Sequence, residues 1–486
     1  MALHVALSSK DPHSRKFRRQ AAAGLLRKIS PGIFTDDLAS PLDAVVRREI
    51  REILAAILPP EAIVSHRSAL EGIISPAGTV HVTGPYRRTL ELPGHKVVMR
   101  KGHGPLPGDI RIPVRTGVLH VSSTSRAMLE NLSVSRARRA DDRHVLGQAA
   151  VEAKLESTLV TQGESVLNQV RDGAKAVAEA LGLEAEVEKL DHIIGAMLGT
   201  REARLAHPAT VARQRGLAYD IRRVDFFSQA ATALGETPPL IPPATPNADG
   251  ELRAFVESYF SNYIEGTEFE IEEAHEIVTK RMALQYREDD SHDVIGTFNA
   301  ILDSVARPTF PSSLESFKGQ LQSWNSQVLF SRSSRNPGRW KEKPNRAGGT
   351  QFVAPDLVQG TLAKGFELIA QMQNPAAKAA LAMLVVLEVH PFSDGNGRTA
   401  RLALNLALSA AELVRIVVPT VYRDDYISSL KAFSIDGQVL PYSRMLTLAA
   451  QFSAWLSYES KDATFGQLER SNALKQPDEG QLQFPV

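Results

Sequence analysis

The sequence predicts a mostly α-helical chain with a small, basic α+β module at its front. Three observations carry that reading. From residue 251 onward, apolar residues recur at helical spacing with few interruptions. Short β-branched runs (VHVT, KVVMR, GVLHVSS) between Gly and Pro clusters are confined to residues 78–123. A proline cluster, ETPPLIPPATPNADG, lies between the two halves and cannot be a helix interior.

Composition narrows the class. The 486 residues are 43% hydrophobic and 23% charged, which fits a folded protein and excludes disordered, collagen-like and coiled-coil chains. There is no cysteine, so disulfide frameworks and thiolate metal sites are excluded. The start, MALHVALSSKDPHSRKFRRQ, lacks the apolar core and cleavage pattern of a secretory signal. The longest apolar run, residues 379–389, is too short to cross a bilayer. A cytoplasmic protein with no membrane partner is expected. The net charge of +1 hides an asymmetry: residues 1–145 hold 23 Lys+Arg and 13 Asp+Glu, net +10, and the remainder carries −9. A basic front suggests a polyanionic partner; the alternative is a solvated surface with scattered arginines.

Five segments follow in order. Residues 1–145 form the basic module. It opens with a helix through Phe17, Ala21, Leu25 and Leu26 that ends near Pro31-Gly32. A second helix runs from Leu42 to Leu58 and stops at Pro59-Pro60. EAIVSHRSALEG reads as a short strand and a helix, and the small sheet follows. Residues 146–230 form a helical segment with solvated outer faces, and 231–250 an extended proline-rich connector, with the alternative that the helix before the prolines already belongs to the next domain. Residues 251–458 form a helical domain, and 459–486 a polar C-terminal tail.

The chemistry is concentrated in 390–401, HPFSDGNGRTAR. An almost wholly apolar helix precedes it and a second helix follows. A glycine-rich loop feeding a helix N-terminus is an anion site, because backbone N–H groups and the helix dipole both favour negative charge. Arg398 and Arg401 share a helix face and match a di- or triphosphate. Asp394 is a natural Mg²⁺ ligand beside such a cradle. His390, neutral at the end of a buried helix, can accept a proton from an attacking hydroxyl. Phe392 anchors the loop, and Asn396 either bonds a phosphate oxygen or fixes the loop. DGNG alone would be an ordinary turn, but eight defined positions in H-x-F-x-D-G-N-G-R-x-x-R are not a chance pattern.

This string resembles the signature of the Fic family, whose members use ATP to attach AMP to a hydroxyl of a target protein. The resemblance implies a Mg²⁺-dependent protein adenylyltransferase with a Fic helical bundle over residues 251–458. It implies His390 as base and Asp394 as the Mg²⁺ ligand. Gly395, Asn396, Gly397 and Arg398 would hold the α- and β-phosphates, and Arg401 the γ-phosphate. Residues 335–355 resemble the family's β-hairpin flap, with Gly349, Thr350, Gln351 and Phe352 docking an extended segment of a target bearing a Ser, Thr or Tyr hydroxyl. Asn405, Tyr422 and Tyr426 sit where the family places nucleoside contacts. The family often shows a histidine where this chain has Trp324-Asn325. Upstream, SNYIEG resembles the family's inhibitory motif, which implies that Glu265 pairs with Arg401 and excludes the γ-phosphate. Ser261 would fix that helix, and Gly266 completes the motif.

Segments of residues 15–200, among them GLLRKISPGIF and EAIVSHRSALEG, resemble AbiEi-type antitoxins and regulators, which carry a winged helix. The two leading helices of that motif are missing or shortened here. The resemblance implies a degenerate winged-helix-like module of toxin–antitoxin type, with Arg15, Lys16, Arg18, Arg19, Arg27 and Lys28 available to phosphates. Two other readings compete with the adenylyltransferase. One is a DNA-binding regulator carrying a Fic domain. The other is a Fic enzyme that removes AMP or transfers another phosphate-linked group.

Overall fold

The computed structural model describes residues 3–7, 11–135, 137, 143–244 and 250–485. It divides into two compact units, Met1–Arg215 and Gly216–Val486. The chain is mostly helical, with a small sheet region in the first unit.

In the first unit, β1 (Leu3–Val5), α1 (Ser14–Ala22), β2 (Arg27–Ser30) and β3 (Ile33–Thr35) open the chain. The three strands pair antiparallel in the order β1-β3-β2. The expected first helix therefore stops at Ala22, and Arg27–Ser30 is a strand. Gly24 takes a left-handed φ of +73° there, which turns the chain out of the helix. After α2 (Leu42–Ile57), β4 (Ile63–Val64) and the short α3 (Arg67–Leu70), five strands complete a sheet. They are β5 (Thr79–Gly84), β6 (Arg88–Leu92), β7 (His95–Lys101), β8 (Ile110–Val114) and β9 (Gly117–Val121). The order is β6-β7-β5-β4-β9-β8. Alternation divides β5 and β7. Val80, Val82, Val97 and Met99 join Val45, Val46, Ile50, Ile53 and Leu54 of α2 in one core. His81 and Thr83 pair in register with Val98 and Arg100 on the other face. Four helices follow, α4 (Thr124–Leu132), α5 (Gln148–Gln162), α6 (Glu164–Leu181) and α7 (Glu184–Met197), around a second core of Met128, Leu155, Leu167 and Ile194. α8 (Pro208–Gln214) ends the unit.

The second unit begins earlier than the sequence suggests. α9 (Ile221–Glu236) buries Phe227, Ala230 and Leu234 in the core of this unit. The break falls after Arg215, not at residue 230. The proline stretch is accordingly no linker between units. It is a strap on the second, where the Pro242 carbonyl accepts from Val414 N and the Glu412 carbonyl accepts from Ala244 N. Pro246 lies outside the described residues.

The helices that follow are α10 (Gly250–Ile264), α11 (Ile271–Lys280), α12 (Glu288–Ala306) and α13 (Leu314–Val328). A short hairpin, β10 (Arg346–Ala347) and β11 (Thr350–Gln351), leads to α14 (Val358–Gln371), α15 (Pro375–Val389) and α16 (Asn396–Ser409). α17 (Arg423–Asp436), α18 (Leu440–Trp455) and α19 (Lys461–Arg470) complete the unit. The expected tail thus contains a helix that packs Phe465 and Leu468 into the core.

α15 is buried on nearly all sides. Alanines at 376, 377, 379, 380 and 382 let α9, α14 and α16 approach closely, and each buried Leu or Val contributes about 1.5–3 kcal/mol.

Candidate active site

Asn374 caps α15, its Oδ1 accepting from Ala377 N at 3.0 Å, and Pro375 fills the first helical position. The helix ends at His390, which adopts a left-handed φ of +50°. That turn sends Pro391 and Phe392 back across the bundle. Phe392 is buried and stacks on Trp340 with centroids 5.1 Å apart. The Asn396 side chain closes the loop on both sides of Phe392. Its Oδ1 accepts from Phe392 N and its Nδ2 donates to the Phe392 carbonyl, both at 2.9 Å. Both of its polar ends bond Phe392, so the side chain fixes the loop. Its backbone N–H, in the free first turn of α16, can serve an anion.

Asn325, buried in α13, locks the same loop from below. Its Nδ2 donates to the Asp394 carbonyl at 2.8 Å, and its Oδ1 accepts from Gly338 N at 2.9 Å. Gly395 lies so close that a Cβ there would stand 2.9 Å from Asn325 Nδ2. Asn325 stands where the family often shows a histidine, and it holds the loop backbone directly.

His390 is half-buried at the mouth of the loop. Its Nδ1 lies 3.1 Å from the Leu387 carbonyl. A carbonyl only accepts, so Nδ1 carries the proton and Nε2 keeps its lone pair. The ring stacks on Phe352 of the hairpin at 3.7 Å between centroids and 4° between planes. Burial first, and the positive charge of Lys341 as a smaller contribution, push the imidazole pKa down to about 4. His390 is therefore a neutral imidazole near neutral pH. Lys341 is itself buried, donates to Asn345 Oδ1 and the Val389 carbonyl, and is pushed by burial to about 7. Asn345 in turn donates to the Phe392 carbonyl, so the base of the hairpin is tied to the loop.

Asp394 stands at the rim. Its Oδ1 accepts from Gly395 N at 2.7 Å, and its Oδ2 lies 3.5 Å from Arg335 Nε. The side chain is 38% exposed, open to an ion arriving with solvent. No group of three or more His, Asp or Glu able to hold a metal occurs among the described residues. One accessible carboxylate beside an N–H nest suits Mg²⁺, which draws most ligands from phosphates and water.

Both arginines are buried side by side on α16, and both are already held. Arg401 donates from Nε to Ser261 Oγ at 2.9 Å, from NH2 to the Ser261 carbonyl and to Glu265 Oε1, each at 2.7 Å, and from NH1 to the Tyr426 hydroxyl at 3.2 Å. Arg398 NH1 reaches Asp293 Oδ2 at 2.8 Å and Asn262 Oδ1 at 3.1 Å. Asp293 also accepts from Arg332 Nε. The Glu265 carboxylate rests over the start of α16, where a Cβ built on Gly397 would lie 2.1 Å from its Oε1. Burial alone would raise the Glu265 pKa, but Arg401 and Arg398 outweigh it and hold the group below the usual glutamate range. Gly266, at φ +92°, ends the helix just beyond.

Asn405, expected at a nucleoside, is instead a buried clamp. Its Oδ1 accepts from Ile416 N at 2.8 Å and its Nδ2 donates to the Ile416 carbonyl at 2.9 Å. Tyr426 is buried against Arg401, and Tyr422 is half-buried. The hairpin pairs Arg346 with Gln351 and Ala347 with Thr350, and Gly348 turns at φ +56°. Gly349, Thr350 and Gln351 leave a short exposed edge, and Phe352 meets His390.

Sequence reading missed Arg223. From α9 it donates to Glu388, two residues before His390, to the Ser434 carbonyl, and to the Gln351 carbonyl of the hairpin at 2.9 Å. It also missed Asn262, Asp293 and Lys341. Only Asn262 had a local signal, lying inside SNYIEG.

Residues 318–408 match the model of the Fic/DOC family, so the loop and the helices around it form a Fic domain. Among curated relatives, protein adenylyltransferase fic-1 of Caenorhabditis briggsae is 33% identical over 105 residues, 21% of this chain and 20% of the relative. Protein adenylyltransferase Fic of Drosophila grimshawi is 27% identical over 205 residues, 40% of this chain and 42% of the relative. The chain thus spans less than half the length of these relatives. The solved structure of Fic-1 (residues 134–508) from C. elegans is 17% identical, with a TM-score of 0.37, covering 66% of this chain and 98% of that one. Among the described residues, no helix is long and apolar enough to cross a membrane.

Proposed function

We propose that the chain transfers AMP from ATP to a hydroxyl side chain of a protein target and is restrained by its own Glu265. One observation carries this reading: His390, its Nε2 free, stands at the mouth of an N–H nest where Glu265 holds Arg401. The curated relatives named as protein adenylyltransferases support the reaction class.

In this mechanism the nest of Gly395, Asn396 and Gly397 and the Arg398 guanidinium bind the α- and β-phosphates. Asp394 would hold Mg²⁺, which when bound neutralises phosphate charge. The exposed edge of β11 aligns an extended target segment by strand pairing. His390 Nε2 takes the proton of the target hydroxyl as its oxygen bonds the α-phosphorus. The bond to the β-phosphate oxygen breaks, and pyrophosphate leaves. Arg401, once released from Glu265, binds the γ-phosphate and sets the α-phosphorus in line. The test is incorporation of labelled AMP into protein substrates with Mg²⁺-ATP, comparing the wild type with His390→Ala. Equal incorporation would exclude His390 as the base.

For the first unit we propose polyanion contact, in keeping with the AbiEi-like reading of residues 1–145. Arg15, Lys16, Arg18 and Arg19 on α1 are exposed, and none forms an ion pair among the described residues. A mobility-shift titration with duplex DNA tests it, since phosphate contacts must weaken steeply with salt. No shift at low salt would leave recognition of a protein as the role of this unit.

A further inference from the structure

The hairpin of β6 and β7 in the first unit borders an open cavity of about 710 Å³. Arg87, Arg88, Arg100 and Lys101 line it together with His144. None of these four cations forms an ion pair with a carboxylate among the described residues. Elsewhere in this unit, arginines removed from solvent are answered by acceptors. Arg67 pairs with Glu71, Arg126 with Asp109 and Glu130, Arg171 with Asp191, and Arg213 with Glu156. Arg27 donates to three backbone carbonyls. Among the described residues Arg100, half-buried, donates only to Nδ1 of His81, at 3.1 Å.

That contact orients the guanidinium without neutralising it. Arginine only donates, so His81 Nδ1 is the acceptor and the ring is neutral. Burial and the neighbouring Arg100 push His81 down to about 3, and burial with the nearby His66 and Arg100 pushes His144 to about 4. The positive charge of Arg87 likewise opposes that of Arg100. Four like charges around one concavity repel each other, and an anion in their midst would reverse the sign of that energy. The volume is that of a small-molecule site. The concavity opens to solvent and is large enough to admit a compact anion such as a diphosphate.

We propose that this cavity binds a small ligand carrying a diphosphate group. It is separate from the nest at Gly395–Gly397 and from the exposed cations of α1.

The test is isothermal titration of the full chain with sodium pyrophosphate at low salt. The variants are Arg87→Ser/Arg88→Ser, Arg100→Met and, as a control for the second unit, Arg401→Ala. The expected result is binding by the wild type and by Arg401→Ala, weakened roughly tenfold or more in the other two. Arg87 and Arg88 are exposed, so the double variant carries the test even if Arg100→Met does not fold. Absence of binding in the wild type would overturn the proposal. So would binding that survives the double variant and disappears in Arg401→Ala. Binding of a short DNA duplex that depends on Arg87 and Arg88, without any pyrophosphate binding, would also overturn it in favour of a nucleic-acid backbone.

Discussion

Glu265 and Gly397 contend for one space: a single added carbon on Gly397 would lie 2.1 Å from the Glu265 carboxylate oxygen. The carboxylate therefore packs against the start of α16 at Gly397, besides engaging Arg401. Under the proposed function, an incoming nucleotide would meet an arginine already occupied by Glu265.

Replacing Glu265 with Gly should raise AMP incorporation, self-modification included, by roughly tenfold or more. About 1.4 kcal/mol suffices for that factor, well below the about 3–5 kcal/mol that breaking a buried charge pair can cost. Glu265→Gly combined with Arg401→Ala should lose the gain. Equal labelling of wild type and Glu265→Gly would end the idea of an internal brake.

The depressed pKa of His390 sets a pH dependence. With the imidazole near 4, the free base is present from about pH 5 upward, so kcat/KM should stay flat on its acid side until pH falls below 5. An acid limb centred near 6.5 would mean that His390 titrates as a solvated histidine or is not the base.

These two outcomes concern residues that a reader of the sequence could find, and the reason is local. The loop from His390 to Arg401 holds its histidine, carboxylate, glycines and arginines within one turn and one helix start, so the pattern survives in one dimension. The residues that hold it in place do not. Asn325 meets Asp394 across 69 positions, Asn262 meets Arg398 across 136, and Arg223 meets Glu388 across 165. No periodicity links such pairs. Asn405 shows the converse error: a polar residue placed at the right interval proved to be consumed by the Ile416 backbone. The first helix overran because its apolar spacing continues past Gly24, where the backbone turns left-handed.

Asn325→Ala should strand the Gly338 N–H and the Asp394 carbonyl at once. A loss of about 1–3 kcal/mol is expected in denaturant unfolding, with a larger fractional loss in kcat than in ATP affinity. Unchanged kcat in a destabilised protein would show that the loop holds its shape without this clamp.

Arg223→Met should leave Glu388 buried and uncompensated, destabilising the second unit by about 3–5 kcal/mol. Adding Glu388→Leu should recover most of that stability. Activity should not return with it, because the hairpin carbonyl of Gln351 would still lack its donor. Full activity in the double variant would show that Arg223 serves the fold alone.

Asp293 has a further consequence. It answers Arg332 as well as Arg398. Should a phosphate recruit the Arg398 guanidinium, this buried carboxylate keeps a second counter-ion and is never orphaned. The energetic toll that usually deters an arginine from leaving an interior partner is thereby largely removed. The nest can exchange one anion for another without a charged vacancy opening behind it.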